Sequence, residues 1–419
     1  MTRELSVWWD DRVAGTLKLT ATGSFSFTYS AEWLADPSAP SLSISLPKRE
    51  PRFPDRECRP FFAGLLPEQG QRDAVAAALG LSKHNDFALL DALGGEVAGA
   101  LALWPEGATP PSSSSSSSSP LSDRELAALI DDLPKRPLLA GGELRLSLAG
   151  VQPKVPVVLI DGRIALPAQG QPTTHILKPA IDRFAGTTEN EALVMRLAAA
   201  VGLDVASVEV RHADDRRPFL LVARYDRAVD RHGRLRRLHQ EDFCQAMGIA
   251  PERKYEKEGG PTFAKCFDLV RRSVTRPAVE VLKLVDAAIF NCIAGNADAH
   301  GKNFSLLYVD DEVRLAPLYD LLCTEAYPEL SPRLAMKIGG RATIEEIGAR
   351  TWPAFAEAIG VTAPYVLRRV KELCAAVQVQ LPLVTRQFGP PLDVKMIEKV
   401  ATMITARATR LQERTTQRS

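Results

Sequence analysis

The sequence predicts an α+β fold in which a β-rich lobe is followed by a helical lobe, with a small α+β domain ahead of both. Apolar and polar residues alternate as in strands near the N-terminus, and again between residues 140 and 225. Beyond Gln240, apolar residues recur mainly at the three- and four-residue spacing of helices. A segment rich in proline and serine separates the first set of strands from the second.

The composition indicates a globular protein of the reducing cytosol. The 419 residues are enough for two or three domains, and 52 Lys and Arg against 51 Asp and Glu leave a formal charge of +1. This balance does not favour direct binding to nucleic acid. The six cysteines form no Cys-x-x-Cys pair, so we expect neither a zinc site nor disulfides, and a cytoplasmic location. We expect no signal peptide and no membrane contact, because no apolar stretch approaches the roughly 20 residues that span a bilayer.

Residues 1–105 are predicted to form the small α+β domain. Its first strands are the clearest, because Leu5, Val7 and Trp9 alternate with polar residues. The predicted elements are a β meander over residues 4–29, a strand within 40–47, helices at 66–79 and 86–93, and a strand at 98–103.

Residues 106–122 are predicted to be a linker. Two prolines, eight serines and a third proline occupy residues 110–120. Because poly-Ser has no apolar side chain to bury, we expect a flexible tether here. Ser122 with Glu125 three residues later is a capping-box pattern, which predicts that a helix begins there.

Residues 123–225 are predicted to form the β-rich lobe. Asp161-Gly162 is a strong hairpin signal between two β-prone stretches. Thr188 and Glu191 form a second capping-box pattern ahead of an apolar helical face, although Glu191 is also a candidate for a salt bridge with Lys178. The predicted strands are at 144–148, 155–160, 164–166, 173–178, 205–210 and 218–223.

Residues 226–419 are predicted to form the helical lobe. The clearest helix begins at Pro277, which suits the first helical turn, and is stopped by Gly295. Between Arg231 and Arg237 lies a basic run, which predicts either a phosphate or tRNA contact or, as we favour, a solvated loop. The predicted helices lie near 240–247, 261–272, 277–293, 343–359, 363–378 and 392–411.

The loop after that helix carries the pattern on which the functional hypothesis depends. Asp298 and Asn303 stand five residues apart, and Asp320 follows a predicted strand, turn and strand. Phosphoryl-transfer enzymes of the protein kinase type use this order, with a loop Asp near the acceptor hydroxyl and an Asn and a later Asp that bind Mg²⁺. The spacing therefore predicts Asp298 as the catalytic base and Asn303 and Asp320 as metal ligands. Ordinary turn residues are the alternative interpretation.

Several motifs in one order resemble the HipA-type toxin kinases, serine/threonine kinases of bacterial toxin–antitoxin modules, and the likeness extends over most of the chain. Two motifs surround the residues above, and the rest precede them. The motifs are Phe62–Glu68, Ser147–Lys154, Thr174–Pro179, Leu238–Gln245, Lys254–Glu256, Asn296–Ser305 and Leu315–Asp320. The resemblance implies a two-lobed protein-kinase-like fold, with ATP and Mg²⁺ as cofactors.

The resemblance also implies roles for residues in the β-rich lobe. Lys178 would contact the α- and β-phosphates of ATP, and Gly150, Val151 and Gln152 would bind phosphates through backbone amides. Ala223 and Tyr225 lie in the segment that resembles the adenine-binding hinge, where the family commonly has Glu in place of Ala223. Other residues implied at the nucleotide are Gln240, His300, Asn303 and Asp320.

Regulation and partners are likewise implied by the resemblance. Ser147 matches the serine that the family autophosphorylates, which predicts self-inactivation; a solvent-facing strand serine is the alternative. The implied partners are a HipB-like helix-turn-helix antitoxin and a protein substrate, an aminoacyl-tRNA synthetase such as glutamyl-tRNA synthetase, with DNA reached only through the antitoxin. A small-molecule or lipid phosphotransferase and a nucleotide-binding pseudokinase remain as alternative functions.

Overall fold

The structure of the protein, a computed structural model, describes residues 3–111, 118–133, 148, 152–181, 183–213 and 217–416. The chain divides into two compact units. The first consists of Met1–Pro179, Leu221–Glu252 and Leu307–Asp310, and the second of Ala180–Leu220, Arg253–Leu306 and Asp311–Ser419. Both units contain helices and strands, so the predicted α+β class is confirmed.

The strands are short, as is usual for globular proteins. In chain order they are β1 (Arg3–Trp9), β2 (Arg12–Leu19), β3 (Phe25–Tyr29), β4 (Phe53–Pro54), β5 (Leu101–Pro105), β6 (Val155–Ile160), β7 (Arg163–Ala165), β8 (His175–Pro179), β9 (Val208–His212), β10 (Pro218–Ala223), β11 (Arg227–Val229), β12 (Leu235–Arg237), β13 (His239–Asp242), β14 (Ser305–Val309), β15 (Glu312–Leu315), β16 (Arg333–Ile338) and β17 (Arg341–Thr343).

The longest helices lie in the second unit. In chain order the α-helices are α1 (Ala31–Ala35), α2 (Asp55–Ala63), α3 (Gln69–Ala78), α4 (Asp86–Leu93), α5 (Asp123–Asp132), α6 (Thr187–Ala200), α7 (Phe243–Ala246), α8 (Phe263–Ser273), α9 (Pro277–Ala294), α10 (Thr351–Ala358), α11 (Ala363–Thr385) and α12 (Val394–Thr416).

An antiparallel sheet of order β4-β3-β2-β1-β5 organises the N-terminal part of the first unit. Leu5 lies opposite Leu17, and Leu17 lies opposite Phe27, so the three apolar side chains share one face. All three are buried, as are Phe61 and Phe62 of α2. The β meander predicted from alternation over residues 4–29 is therefore confirmed.

The strand predicted within residues 40–47 is wrong. This segment makes only an isolated bridge between Ser43 and Leu46. Two of its backbone groups bond instead to one buried phenol: the Tyr29 hydroxyl accepts from the Leu42 amide (2.8 Å) and donates to the Leu46 carbonyl. Once a side chain satisfies these groups, a strand ladder is no longer needed to do so.

A buried network of charges lies in the first unit at the segment after β10. The Glu96 carboxylate accepts hydrogen bonds from Arg224, Arg227 and Arg237, and Arg224 also forks onto Asp226 (2.9 and 2.7 Å). Although burial alone would raise it, the three guanidinium groups hold the pKa of Glu96 down at about 2. The network holds the side chains of Arg224, Asp226 and Arg227, and it thereby restrains the backbone of residues 224–227. Removing one member would leave a buried charge unpaired.

The hairpin of β6 and β7 turns at Asp161 and Gly162, whose φ angles are 49° and 77°. Positive φ at both central residues defines the turn that the Asp-Gly pair predicts. On its other edge β6 pairs antiparallel with β8, with Pro156 opposite Ile176. Because the pairing extends to Leu177, it fixes the backbone immediately before Lys178.

The capping box predicted at Thr188 and Glu191 is wrong. Helix α6 begins at Thr187 after Gly186, which has φ 68° and makes no side-chain cap bond. Thr188 therefore lies inside the first turn, and an N-cap must lie just outside it. The capping box predicted at Ser122 and Glu125 is confirmed, with both of its reciprocal bonds present.

Helix α9 is the buried support of the second unit, and an arginine of α12 binds its C-terminal end. The Arg407 guanidinium donates to the Ile293 carbonyl (2.8 Å) and pairs with Glu325. Gly295 ends the helix at φ 77°, where a Cβ would lie 2.6–2.7 Å from the same guanidinium. Only glycine fits this approach without displacing the arginine.

All six cysteines are free and buried.

Across the described ranges, no helix combines the length and the apolar character that a membrane crossing requires.

Glu241 of β13 is a carboxyl with 0% exposure whose recorded hydrogen-bond donors are neutral. It accepts from the Ser43 hydroxyl, the Ile44 amide (3.0 Å) and the Tyr308 hydroxyl, all within the first unit. Burial raises the pKa of Glu241 from 4.5 to about 7, because the donors only partly replace water around the ionised form.

Substituting Arg407→Met is expected to lower the free energy of unfolding of the second unit by about 3 kcal/mol, since Glu325 and the Ile293 carbonyl lose a buried partner. Urea denaturation measures this loss. Arg368→Met is the matched control, because the Arg368 side chain is 64% exposed and its pair with Glu372 spans one helical turn. Equal losses in both variants would contradict the assigned role of Arg407.

The raised pKa of Glu241 predicts a pH dependence of the first unit. The folded state holds a proton that the unfolded state releases above about 4.5, so the stabilisation is complete below that pH and is lost as pH rises through about 7. Glu241→Gln should remove this dependence, which amounts to about 3 kcal/mol at most.

Tryptophan fluorescence suits the measurement, because four of the five tryptophans, at positions 8, 9, 33 and 104, lie in the first unit. The control is Glu50→Gln at an exposed position. A urea midpoint that falls equally between pH 5 and pH 8 in the native chain and in the Glu241→Gln variant would disprove the assignment.

Candidate active site

The loop after α9 is held at its first residues by buried hydrogen bonds. The Asn296 amide donates to Asn291 Oδ1 of the helix (2.7 Å), and its Oδ1 accepts from the Asp298 amide (3.1 Å). The Ala297 amide donates to Thr324 Oγ1 (2.8 Å). These bonds fix the backbone that leads into Asp298.

Asp298 is the exposed member of this loop; its neighbours Ala297 and Ala299 are buried. The Tyr255 hydroxyl donates to Asp298 Oδ1 at 2.8 Å. The same distance suits a hydrogen bond from an acceptor hydroxyl to a general base. An exposed carboxylate that a rigid loop holds in place can accept a proton.

The loop closes with a short 3₁₀ turn at Gly301–Asn303. The Asn303 amide donates to the His300 carbonyl (2.9 Å), and Asn303 Oδ1 accepts from the His300 amide (3.3 Å). Both side chains are buried. The turn thereby fixes the direction in which the Asn303 carboxamide points.

Asp320 lies beside that carboxamide. Asn303 Nδ2 donates to Asp320 Oδ2 at 3.2 Å. Asp320 has φ 59°, in the left-handed region that aspartate and asparagine tolerate better than most residues. Non-glycine residues in this region cluster at functional sites, where the surrounding structure maintains them.

Tyr319 joins the loop to the segment that carries Asp320. Its hydroxyl donates to the Lys302 carbonyl (2.7 Å) and contacts Ser305 Oγ (2.7 Å). The Ala316 amide also donates to the Ser305 carbonyl (2.9 Å). These contacts hold Asn303 and Asp320 at their mutual distance.

The first unit contains the candidate nucleotide-binding residues. Lys178 is buried on β8, one residue before its end. Gln152 Nε2 donates to the Pro179 carbonyl (3.3 Å), which keeps Gln152 beside the end of that strand. The Tyr225 hydroxyl donates to Gln240 Oε1, and Ala223 is the last residue of β10.

The structure thus brings together Asn303 and Asp320 in the second unit, with Asp298 and His300 on the same loop, and Tyr225 with Gln240 in the first. Three predicted site residues, Ser147, Gly150 and Val151, lie outside the described residues.

The donor set suits a hard divalent cation. Asn303 and Asp320 lie next to each other and carry a carboxamide and a carboxylate, whose oxygens are the ligand type that Mg²⁺ prefers. In the part of the chain that the structure describes, no three His, Cys, Asp or Glu side chains form a metal-binding group. Two protein ligands are nevertheless the arrangement for Mg²⁺ that phosphates and water complete.

Sequence reasoning missed Asn296, Tyr319 and Arg407 as supports of the loop, and it took Tyr255 only as part of a motif. Asn296 had a local signal, because asparagine favours turns where its side chain bonds to the backbone two residues on. The partners of Arg407 are more than 80 residues distant in sequence, so no local pattern indicates them.

Two protein-family models match this chain. The family described as "HipA N-terminal domain" matches residues 5–104, and the family described as "HipA-like C-terminal domain" matches residues 146–381. The protein named "Putative kinase Y4mE" of Sinorhizobium fredii is 59% identical over 375 residues, covering 88% of this chain and 89% of the relative.

A second relative, the "Serine/threonine-protein kinase toxin HipA" of Shewanella oneidensis, is 31% identical over 393 residues, covering 89% of this chain and 88% of its own length. A solved structure of the HipA, HipB and operator DNA complex from Shewanella oneidensis MR-1 matches with a TM-score of 0.87 and 29% identity, covering 99% of this chain and 98% of that one.

Fold, loop and relatives together define a protein serine/threonine kinase with a kinase-like α+β fold. Within that class the chain belongs to the HipA family, because both family domains match it in order and the second covers more than half of its length. A nucleotide and a metal ion are the cofactors of this class in general.

Proposed function

We propose that this chain is an ATP- and Mg²⁺-dependent protein serine/threonine kinase that acts as the toxin of a toxin–antitoxin module. The observation that carries the proposal is the 3.2 Å contact between Asn303 Nδ2 and Asp320 Oδ2, in which Asn303 lies on the same loop as the exposed Asp298. A carboxamide and a carboxylate that lie side by side, with a second acidic residue exposed five positions before the carboxamide, match the elements of kinase-type phosphoryl transfer.

In the proposed reaction Asp298 is the catalytic base. It receives the proton of an acceptor serine or threonine as the hydroxyl oxygen bonds to the γ-phosphorus of ATP. The bond from that phosphorus to the β,γ-bridging oxygen breaks, and ADP leaves. Asn303 and Asp320 would hold Mg²⁺, which when bound neutralises charge on the phosphates.

In the first unit we assign nucleotide binding to a second group of residues. The Lys178 ammonium would contact the α- and β-phosphates, and the backbone of Gly150, Val151 and Gln152 the terminal phosphates. Ala223 and Tyr225 would bind adenine through backbone groups. The recorded bond between Tyr225 and Gln240 supports the placement of Gln240 near the nucleoside. In the second unit, His300 is assigned to the nucleotide as a neighbour of Asn303.

The partners follow from the relatives. Because the matched Shewanella oneidensis structure contains HipB and operator DNA, we propose a HipB-like helix-turn-helix antitoxin for this chain, with DNA reached through it. As protein substrate we propose an aminoacyl-tRNA synthetase, such as glutamyl-tRNA synthetase, whose phosphorylation would arrest growth in the cytoplasm.

Self-inactivation by phosphorylation of Ser147 completes the proposal. A phosphate carries a charge of about −2 at neutral pH, so a phosphorylated loop next to bound ATP is repelled by the nucleotide phosphates. The loop would then leave the nucleotide, and the kinase would stop working.

Replacing Asp298 with Asn is expected to reduce γ-phosphate transfer at least a hundredfold without loss of ATP binding, since the amide cannot accept the proton. Asp320→Asn should instead weaken Mg²⁺-dependent ATP binding. Transfer from γ-³²P-ATP and equilibrium titration with an ATP analogue measure the two effects.

Asp311→Asn, at an exposed turn position, is the matched control and should behave as the unchanged chain. Full transfer by the Asp298→Asn variant would refute the assignment of the base. Incorporation of label into a small molecule or lipid, with none into protein, would favour another phosphotransferase.

Substituting Ser147→Ala should leave ATP binding unchanged and abolish self-labelling, so that activity no longer decays during incubation with ATP. Mass spectrometry locates the phosphate, and repeated assays over time measure the decay. Continued labelling at another residue with the same loss of activity would contradict the role of Ser147.

A further inference from the structure

The turn that follows Lys254 is attached to the candidate catalytic loop at three points. The Lys254 carbonyl accepts from the Gly301 amide (3.3 Å), and the Tyr255 hydroxyl donates to Asp298 Oδ1 (2.8 Å). The Tyr255 ring also packs edge-on against the His300 ring, with centroids 5.2 Å apart at 87°. Tyr255 contacts Asp298 and His300, which lie on either side of Ala299. Together the two contacts restrain the position and the direction of the Asp298 side chain.

Tyr255 is itself held firmly by its own turn. Its carbonyl accepts from the Glu258 amide (3.0 Å) and the Gly260 amide (2.9 Å). A Cβ at Gly260 would lie 2.7 Å from that carbonyl oxygen and 2.1 Å from the Arg253 carbonyl oxygen, so the chain passes closely here. Because the backbone that carries the Tyr255 side chain is held in this turn, the phenol hydroxyl can hold the Asp298 carboxylate in place.

We propose that Tyr255 is a positioning residue for phosphoryl transfer, whose hydroxyl fixes one oxygen of the Asp298 carboxylate so that the carboxylate is oriented toward the acceptor hydroxyl. This inference rests on the proposed function, in which Asp298 is the base. A general base must lie within hydrogen-bond reach of the proton that it abstracts, and small losses of orientation reduce the rate strongly.

Charged side chains lie on the turn that carries Tyr255. The Lys254 and Lys257 ammonium groups lie 5.5 and 5.7 Å from the centroid of the Tyr255 ring, and the Glu256 carboxylate bonds to the Lys337 backbone amide (2.7 Å). The Tyr255 hydroxyl bonds directly to Asp298, so its removal is the most local way to change how the carboxylate is held. A hydrogen bond to the carboxylate favours its ionised form.

The test is the Tyr255→Phe variant, which keeps the ring and removes only the hydroxyl. We expect kcat for γ-phosphate transfer to protein to fall about tenfold, because a base that is less well oriented abstracts the proton more slowly. The KM for ATP should remain within twofold. The acid side of the pH profile of kcat/KM should move to higher pH, which a merely structural role would not produce.

Tyr365→Phe on α11 is the matched control, because it removes a phenol hydroxyl from a residue outside the proposed machinery. A double variant isolates the route of the effect. In the Asp298→Asn background, Tyr255→Phe should cause no further loss in single-turnover transfer if the tyrosine acts through Asp298.

The outcomes separate the two levels of the argument. Undiminished transfer by Asp298→Asn would overturn the proposed function itself. If Asp298→Asn is inactive but Tyr255→Phe keeps the native kcat and pH profile, the inference on Tyr255 is wrong and the function stands. A rise in kcat/KM for the protein substrate in Tyr255→Phe would also overturn it, because the phenol would then occupy the place of the acceptor hydroxyl.

Discussion

The bond between Arg407 of the last helix and the C-terminal end of α9 is the constraint on which the candidate site depends. Carbonyls at the end of a helix carry partial negative charge, and the buried Arg407 cation faces them through Ile293. Glu325 pairs with the same guanidinium, so charge and hydrogen-bonding capacity are matched away from water. The loop with Asp298 begins two residues after Ile293, so the position of the loop depends on this contact of Arg407 with the helix end.

A second constraint, in the first unit, is the network of Glu96 with three arginines. It fixes residues 224–227 from beneath, including the backbone on both sides of Tyr225. The segment between α4 and β5, which carries Glu96, therefore shares a buried set of charges with residues 224–227. Such a network tolerates little change in any member, because each substitution leaves a buried charge unpaired.

Local patterns were enough to predict most elements and to single out the acidic residues that we propose for the site. The spacing of Asp298, Asn303 and Asp320 is short enough to be read along the sequence, and the Asp-Gly turn at 161–162 follows from backbone sterics. The strand within 40–47 could not be rejected in this way, because the phenol of Tyr29 that replaces its ladder is distant in sequence. The support from Arg407 escaped for the same reason, since tertiary contacts decide it.

Because all six cysteines are buried, the folded chain should react slowly with thiol reagents. Burial raises the pKa of the thiols at Cys58 and Cys374 to about 12, so almost no thiolate is present at neutral pH. A cysteine introduced on the surface would be the preferred target for a maleimide probe. Two such labels could be attached at chosen positions without any need to remove native cysteines first.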